Sequence, residues 1–434
     1  MQSLQKRLRA LAENPPTGWR ETGKEIRPNL HGMLRYPAMM VPQMQRDIID
    51  EVLASTGVHS HVLDPFVGSG TTMTEALLKG VSFTGIDINP LAALACEAKL
   101  AIDRGAPLEA AFGRVLERFE RDDRRTIDVD FKHRDKWFSH SASVVLSRLR
   151  RSIAATRDQA TRKVLWLVLA ETIRLCSNSR TSTYKLHKRR TGDEFPADRI
   201  GGLFQSKLIE AAERARDYRR LTAARRKGSS VVRIVCNDVR KVDFRRITAG
   251  HLVVVTSPPY GDNESTIPYG QFSYLPLSWI SPEDLPFCPQ DHLLDNTHAI
   301  DSASLGGTQG GADHKVDALR LASPAFDSFA LTCGQQGKAA AAKKVAAFAY
   351  DFLEAAAAVR CSRAKSAHWV ITTGNRTVAG LPVPFDSICS DVVAFLDGKI
   401  IGLLRRRLPN KRMPERNSMG AMITAETTAV AEFS

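Results

Sequence analysis

Apolar positions along the chain follow two rhythms. HSHVLDPF (59–66) is a short, mostly apolar run that predicts a strand; GSGTT follows, and MTEALLKG then has the spacing of a helix ending at Gly80. SFTGIDI (82–88) predicts a second strand with an acid near its carboxyl end. NPLAALACEAKLA predicts a second helix, with Asn89 as its N-cap and Pro90 at its first position. This β-α-β-α order is the opening of a doubly wound parallel sheet.

The alternation then stops. From about 104 to 230 the pattern is helical and basic: TRKVLWLVLAETIRLC is apolar almost all round and predicts a buried helix. SNSRTSTYKLHKRRTGDEFP is polar and turn-rich, and KLIEAAERARDYRRLTAARRK predicts a long charged helix. Strands resume with VVRIVCND (231–238) and HLVVVTSPPY (251–260). Residues 280–337, rich in Pro, Gly, Asp and Ser, read as a long excursion. KAAAAKKVAAFAYDFLEAAAAVRC predicts a helix by propensity, and the segments 368–375, 399–408 and 427–433 predict late strands. The expected architecture is α/β, with an N-terminal segment and the ligand-binding half of the sheet domain at 1–103, a basic helical insertion at 104–230 and the catalytic half of the same domain at 231–434.

Composition narrows the function classes. No run of eighteen apolar residues is present, and the N-terminal stretch is charged throughout, so neither a spanning helix nor a secretory leader is expected. Seven cysteines, none in a C-x-x-C pair, fit a reducing cytoplasm better than a structural zinc site, and the eleven histidines have no HExxH spacing; no metal is expected. The net charge is +14, and the stretch 141–230 holds 21 Lys/Arg against 8 Asp/Glu. A solvated helical surface can carry such a run, but its concentration in one segment points to a polyanion such as nucleic acid.

The stretch LDPFVGSGTTMTEAL combines a strand, a Gly-x-Gly turn and a helix start. Glycines admit positive φ and close approach of a ligand to the backbone. Three acids surround this turn: Asp64 before it, Asp87 at the end of the next strand, where ribose hydroxyls are held, and Asp238 closing a third strand. Carboxylates so placed repel a pyrophosphate and suit a cationic ligand bearing a ribose, such as S-adenosylmethionine. No Gly-Lys-Ser/Thr follows, which excludes a P-loop.

DPFVGSGTT together with TSPPY resembles the S-adenosylmethionine-dependent DNA amino-methyltransferases, which act on the exocyclic nitrogen of cytosine or adenine. RYPAMMVP (35–42) is similar to that family's methionine-binding segment, and TGNRTV (373–378) and LPNKRMPERNS (408–418) resemble parts of bacterial and phage modification methylases. The resemblance spans roughly 31–100 and 231–434. It implies a Rossmann-like fold and a methyl-donor site of Tyr36, Pro37, Asp64, Pro65, Phe66, Gly68, Gly70, Thr71, Asp87, Ile88 and Asp238. It implies a catalytic run Ser257, Pro258, Pro259 and Tyr260, double-stranded DNA as substrate, and a cytoplasmic setting in which a cognate restriction endonuclease can accompany the enzyme.

An exocyclic amine is a poor nucleophile because its lone pair is delocalised into the ring. Acceptors at the Ser257 hydroxyl and the Pro258 carbonyl would favour a tetrahedral nitrogen, and Tyr260 would give a stacking surface for a flipped base. In the resembled family Ser-Pro-Pro-Tyr is more usual for cytosine N4 and Asp-Pro-Pro-Tyr for adenine N6, so cytosine N4 is favoured, with adenine N6 and an RNA amine as alternatives. Cys288-Pro289-Gln290 has the wrong order for a cytosine-C5 nucleophile. Tyr269, Phe272 and Tyr274 could wall the base pocket or pack the loop, and Asn375 and Arg376 could lie near the same sheet edge or form a turn. Target recognition is expected in the insertion, with Arg180, Lys185, Lys188, Arg189 and Arg190 on phosphates, 225–227 likewise, and Asn178, Ser179 and Arg180 as base readers. The arginines of LLRRRLPNKR either add a basic stretch or protect an edge strand.

Overall fold

The computed structural model describes residues 3–19, 27–56, 60–224, 230–259, 267–307, 310–374, 376–407 and 425–434. Nine strands are present among them: β1 (Ser60–Asp64), β2 (Ser82–Asp87), β3 (Val232–Cys236), β4 (His251–Thr256), β5 (Ala367–Gly374), β6 (Arg376–Val378), β7 (Leu381–Val383), β8 (Lys399–Arg407) and β9 (Ala425–Phe433). Seven form one sheet in the order β3-β2-β1-β4-β5-β9-β8, and β6 and β7 form a separate hairpin. Strands β1 to β5 are mutually parallel; β9 runs antiparallel to both β5 and β8. The chain thus has the doubly wound, Rossmann-like methyltransferase sheet with a large helical insertion that the sequence predicts.

Both faces of this sheet are covered, which is why its strands read as continuous apolar runs rather than as alternating ones. The alternation is still present in three dimensions. Val62, Phe83, Val253, Val255 and Val370 enter one buried cluster; Leu63, Ile86, Leu252, Val254, Trp369 and Ile371 enter the other. The first cluster also takes Leu165, Trp166, Phe204 and Tyr218, so the insertion's helices Gln159–Cys176 and Ile200–Thr222 pack into the same core as β1 and β4. The long charged helix starts earlier than its charges indicate. Gly201 lies in its first turn, where an added Cβ would come 2.8 Å from the Phe119 ring.

The second face is covered by helices Ala339–Arg360 and Phe385–Phe395, and the stretch expected to be an excursion packs on those two helices. Residues 280–337 contain the helices Ala299–Ala303, Ala312–Ala322 and Pro324–Gln335. Leu319, Phe326, Phe329 and Cys333 supply the buried side of the last two. Ser323 caps the last of them: its Oγ accepts from the Phe326 N–H at 3.1 Å and donates to Asp391 Oδ2 at 2.7 Å. The abundant turn-forming residues mask an apolar periodicity that only the packing partner makes decisive.

Strand β8 lies at the sheet margin. Arg405 and Arg407 are exposed, while Arg406 is buried and donates to Glu426 Oε2 at 2.7 Å and to the Trp19 carbonyl at 3.1 Å. This is the edge-strand alternative for these arginines. Residues 408–412 of that stretch lie outside the described residues.

Candidate active site

The order of strands in the sheet reverses between β1 and β4, and the carboxyl ends of neighbouring parallel strands at such a switch point leave a crevice. The cleft here is open to solvent. It is lined from one side by Pro65, Phe66, Val67, Gly68, Ser69 and Thr71 of the glycine turn, and from another by Ser257 and Pro259 after β4. Two stretches nearly two hundred residues apart therefore share one cavity. Hydrogen bonds hold them in register: Thr256 Oγ1 donates to Asp64 Oδ1 at 2.7 Å, and Thr72 Oγ1 donates to the Val255 carbonyl at 3.3 Å.

The glycine turn has its conformation for stated reasons. Gly68 and Gly70 have φ of 51° and 82°. A Cβ on Gly70 would lie 2.9 Å from Cys96 Sγ, so the turn sits directly on helix Pro90–Asp103. From that helix Lys99, fully buried, donates to the Ser69 carbonyl at 2.5 Å, and Cys96 Sγ contacts the Gly68 carbonyl at 3.4 Å. Burial pulls the Lys99 ammonium down to about 8. Neither residue has a signal in the sequence, because an alanine-rich helix gives no reason to expect a buried lysine.

Asp87 ends β2 on the cleft wall. Its Oδ2 accepts the Gly68 N–H and its Oδ1 the Asn89 N–H, both at 2.8 Å. Burial nevertheless raises it to about 6, outweighing those two bonds. Asp64 is raised further, to about 7, by burial first; the Thr256 hydrogen bond opposes the shift and the charge of Asp87 adds to it. Asp64 does not line the cleft: it fastens β1 to β4 from behind the turn. Gly70 likewise lies behind the wall, whereas Tyr36, Pro37, Pro65, Phe66, Gly68, Thr71, Asp87, Ile88 and Asp238 are on it. Asp238 follows β3 by two residues and caps the next turn, its Oδ1 accepting the Arg240 N–H at 3.0 Å.

The segment 35–42 forms the cleft's third side, contributing Tyr36 through Met40. Asn89 holds it there. Its amide donates to the Tyr36 hydroxyl at 2.9 Å and to Ser273 Oγ at 2.7 Å, while its Oδ1 caps the following helix by accepting the Leu91 N–H at 3.0 Å. The sequence shows only the capping half of that role. Tyr36 stacks on Tyr269 with ring centroids 5.6 Å apart. Tyr269 is on the wall, whereas Phe272 and Tyr274 are buried packing residues.

The donor set has a clear chemical character. Among the described residues that line the cleft are two carboxylates, Asp87 and Asp238, and none is lysine or arginine. A polyphosphate would find no counter-charge there. A ligand combining a ribose with positive charge, as S-adenosylmethionine does, fits carboxylate acceptors beside glycine backbone. Among the described residues no three His, Cys, Asp or Glu side chains are grouped as metal ligands, and no helix is long and apolar enough to cross a membrane.

Of the catalytic run, Ser257 and Pro259 line the cleft and Pro258 is buried; Tyr260 lies outside the described residues, as do Asn375 and residues 225–227. Arg376 begins β6, and Cys288 is half-buried off the described cleft wall.

The polar loop of the insertion is a hairpin closed by a bridge between Ser179 and Lys188. It docks beside the cleft: the Leu186 N–H donates to Gln271 Oε1 at 3.0 Å, and the Tyr184 ring meets Phe272 edge-on at 5.9 Å. Phe272 in turn meets Tyr36. Arg180, Lys188 and Arg190 are exposed on this hairpin and Lys185 is half-buried. Arg189 is engaged internally, its guanidinium donating to the carbonyls of Leu175 at 2.9 Å, Ser179 at 3.1 Å and Ser177 at 3.2 Å. Ser179 is buried and accepts the His187 N–H at 3.3 Å, while Asn178 bonds Trp137 and Arg189 through its backbone.

The same holds along the insertion. Arg151 pairs with Asp122 and Asp128, Arg162 with Asp284, and Arg214 with Glu210 and with the carbonyls of Arg27 and Asn29. Much of the positive charge counted in 141–230 is thus spent inside the fold; among the described residues, Arg180, Lys188 and Arg190 on the hairpin and Arg157, Arg199, Arg216 and Arg220 elsewhere remain exposed.

Comparison with known proteins was made against this geometry. Residues 8–96 match a family described as DNA methylase. The chain is 27% identical over 399 residues, 88% of its length and 85% of the relative's, to Type II methyltransferase M.MvaI of Kocuria varians. Shorter stretches match Type II methyltransferase M.MjaII of Methanocaldococcus jannaschii (34% over 77 residues, 18% of this chain and 14% of that protein). A similar stretch matches Type II methyltransferase M.BsoBI of Geobacillus stearothermophilus (37% over 71 residues, 16% and 14%). No solved structure matches the chain significantly. These matches support membership in the DNA amino-methyltransferase family and, in general terms, an S-adenosylmethionine-dependent DNA amino-methyltransferase activity.

Proposed function

With DNA amino-methyltransferase activity as the footing, we propose that this protein methylates the exocyclic N4 amine of cytosine at a specific sequence in duplex DNA. The observation that carries the reading is the single cleft shared by the Gly68 turn and Ser257, with carboxylates and no cation among its described lining residues. S-adenosylmethionine, when bound, supplies an electrophilic methyl group on a sulfonium.

The chain's own residues have separate tasks. Asp87 accepts the ribose hydroxyls with the lone pairs left over from Gly68 and Asn89. Tyr36 to Met40 flank the amino-acid end and Asp238 the base. Ser257 Oγ accepts a hydrogen bond from the target amine, localising its lone pair, and the Pro258 carbonyl accepts the second; Tyr260 is assigned the stacking surface. A base stacked in a duplex cannot reach acceptors inside a cleft, so the target nucleotide is rotated out of the helix. The exposed cations of the 177–190 hairpin contact phosphates next to the opened base pair.

The serine at 257 favours cytosine N4; adenine N6 is the second reading, because the same acceptors serve either amine. A partner restriction endonuclease and a cytoplasmic setting belong to the same proposal. The test is transfer of labelled methyl groups to duplex DNA and to tRNA, followed by nucleoside analysis of the DNA. N4-methylcytosine is expected. N6-methyladenine would move the assignment to the second reading, and label on RNA alone, or on neither, would reject both.

A further inference from the structure

One side of the cleft comes from none of the sequence motifs. Ile300, Ala303, Ser304 and Leu305 line it, and all belong to the 280–337 stretch. A buried carboxylate behind it holds the end that follows Leu305.

Asp351, on helix Ala339–Arg360, is 2% exposed. Its Oδ2 accepts the N–H of Gly306, the residue next to Leu305, at 2.8 Å, and its Oδ1 accepts Lys315 Nζ at 2.7 Å. Arg240 Nη1 lies 3.0 Å from the same Oδ2. That guanidinium is also forked on Asp238, with Nε 3.0 Å from Oδ1 and Nη2 2.8 Å from Oδ2. Asp238 is itself on the cleft wall. One buried carboxylate thus joins two lining segments that come from opposite ends of the 238–306 stretch.

The backbone at Gly306 reinforces the arrangement. Its φ is 71°, and an added Cβ would lie 2.9 Å from Phe348 Cβ and 3.0 Å from Phe348 Cα. The chain therefore presses against helix Ala339–Arg360 one residue after it leaves the cleft. Buried ion pairs contribute little net stability compared with apolar packing, because desolvation offsets the attraction. They do fix geometry, since displaced partners become uncompensated charges.

We propose that Asp351 is a positioning residue for the methyl donor. Through Gly306 and Arg240 it sets the separation of the Ser304–Leu305 wall from Asp238, and so the width of the slot that takes the donor's nucleoside. The inference rests on the reading that this cleft binds S-adenosylmethionine.

The decisive comparison is between the wild type, Asp351→Asn and Arg240→Met. Asp351→Asn keeps the shape and the acceptor for Gly306 but loses the charge. Arg240→Met cuts the link to Asp238 while leaving Lys315 and Gly306 on Asp351. S-adenosylmethionine Kd is measured by equilibrium dialysis, and methyl transfer to duplex DNA is measured with donor and DNA varied in turn. Both variants are expected to raise donor Kd and KM at least tenfold, with kcat at saturating donor and the KM for DNA within twofold of wild type. A merely structural role would lower melting temperature without that split. Unchanged donor Kd in folded Asp351→Asn, or a loss confined to kcat, overturns the inference; should Asp351→Asn not fold, unchanged donor Kd in Arg240→Met does so. A wild type that binds no S-adenosylmethionine overturns the underlying reading and this inference with it.

Discussion

The Thr256 hydroxyl donates to Asp64 Oδ1 at 2.7 Å, across 192 residues of sequence and with both side chains buried. This bond joins the carboxyl ends of β1 and β4, from which the glycine turn and the Ser-Pro-Pro run depart. Asp64 is raised to about 7 by burial, above its value of about 3.9 in an unfolded chain. Its contribution to stability is therefore complete below pH 4 and is lost as pH rises through about 7. Urea unfolding from pH 5 to 8 should show wild-type stability falling by roughly 2–3 kcal/mol more than that of Asp64→Asn. Parallel profiles would show that Asp64 is already ionised in the fold.

Asp87 sets a second pH dependence, on binding. It is neutral below about 6 and anionic above, and both ribose hydroxyls and a cationic donor favour the anion. Donor affinity should weaken up to tenfold per pH unit below that point and level off above pH 7. Asp87→Ala should cost roughly 1.5–3 kcal/mol of donor binding, with a smaller change in DNA affinity, and Asp87→Asn should flatten the profile. Calorimetric titration across pH 5–8 measures both.

On the proposed reading, Ser257→Ala removes the acceptor for the reacting amine and leaves the residues assigned to the donor in place. It should lower kcat by roughly 10²–10³-fold, the usual consequence of losing one pre-organised hydrogen-bonding group, while S-adenosylmethionine Kd stays within twofold. Normal turnover would show that Ser257 is not the acceptor.

Gly70→Ala should destabilise the protein by roughly 1–3 kcal/mol, because φ is 82° there and the new methyl would meet Cys96 Sγ at 2.9 Å. Gly68→Ala has room beside Tyr36, with the nearest ring carbon at 3.6 Å, so it carries only the backbone strain and should cost less. Denaturant midpoints of the two variants give the order directly.

The hairpin carries both an internally engaged arginine and exposed cations. Arg189→Ala strands three backbone carbonyls and should lower the melting temperature. Lys188→Ala and Arg190→Ala remove exposed charges and should leave melting unchanged while reducing the salt dependence of DNA binding by about one ion each. An Arg190→Ala variant with an unaltered salt slope would take the hairpin off the DNA.

The parallel sheet, the glycine turn and the two strand-end motifs were legible in the residues themselves. Each depends on local physics: buried apolar runs, a turn only glycine can make, an asparagine cap before Pro90. The acids at 87 and 238 were legible for the same reason, as they lie at or just past the carboxyl ends of strands whose direction the pattern fixes.

Which of those residues face one another was not local, and only the packed chain decided it. Asp64 looks in sequence like a wall residue and lies behind the wall, because the cross-strand bond to Thr256 turns it inward. The excess charge of 141–230 looks like a continuous basic surface, yet arginines 151, 162, 189 and 214 are consumed by carboxylates and carbonyls contributed from elsewhere in the fold. The wall from Ile300 to Leu305 had no signal, since its composition is that of a loop and the helices that follow it bury Phe326 and Phe329 against helices Ala339–Arg360 and Phe385–Phe395, far along the chain. Sequence period determines what a segment can become; partners far along the chain determine whether a given charge or hydroxyl is left for a ligand.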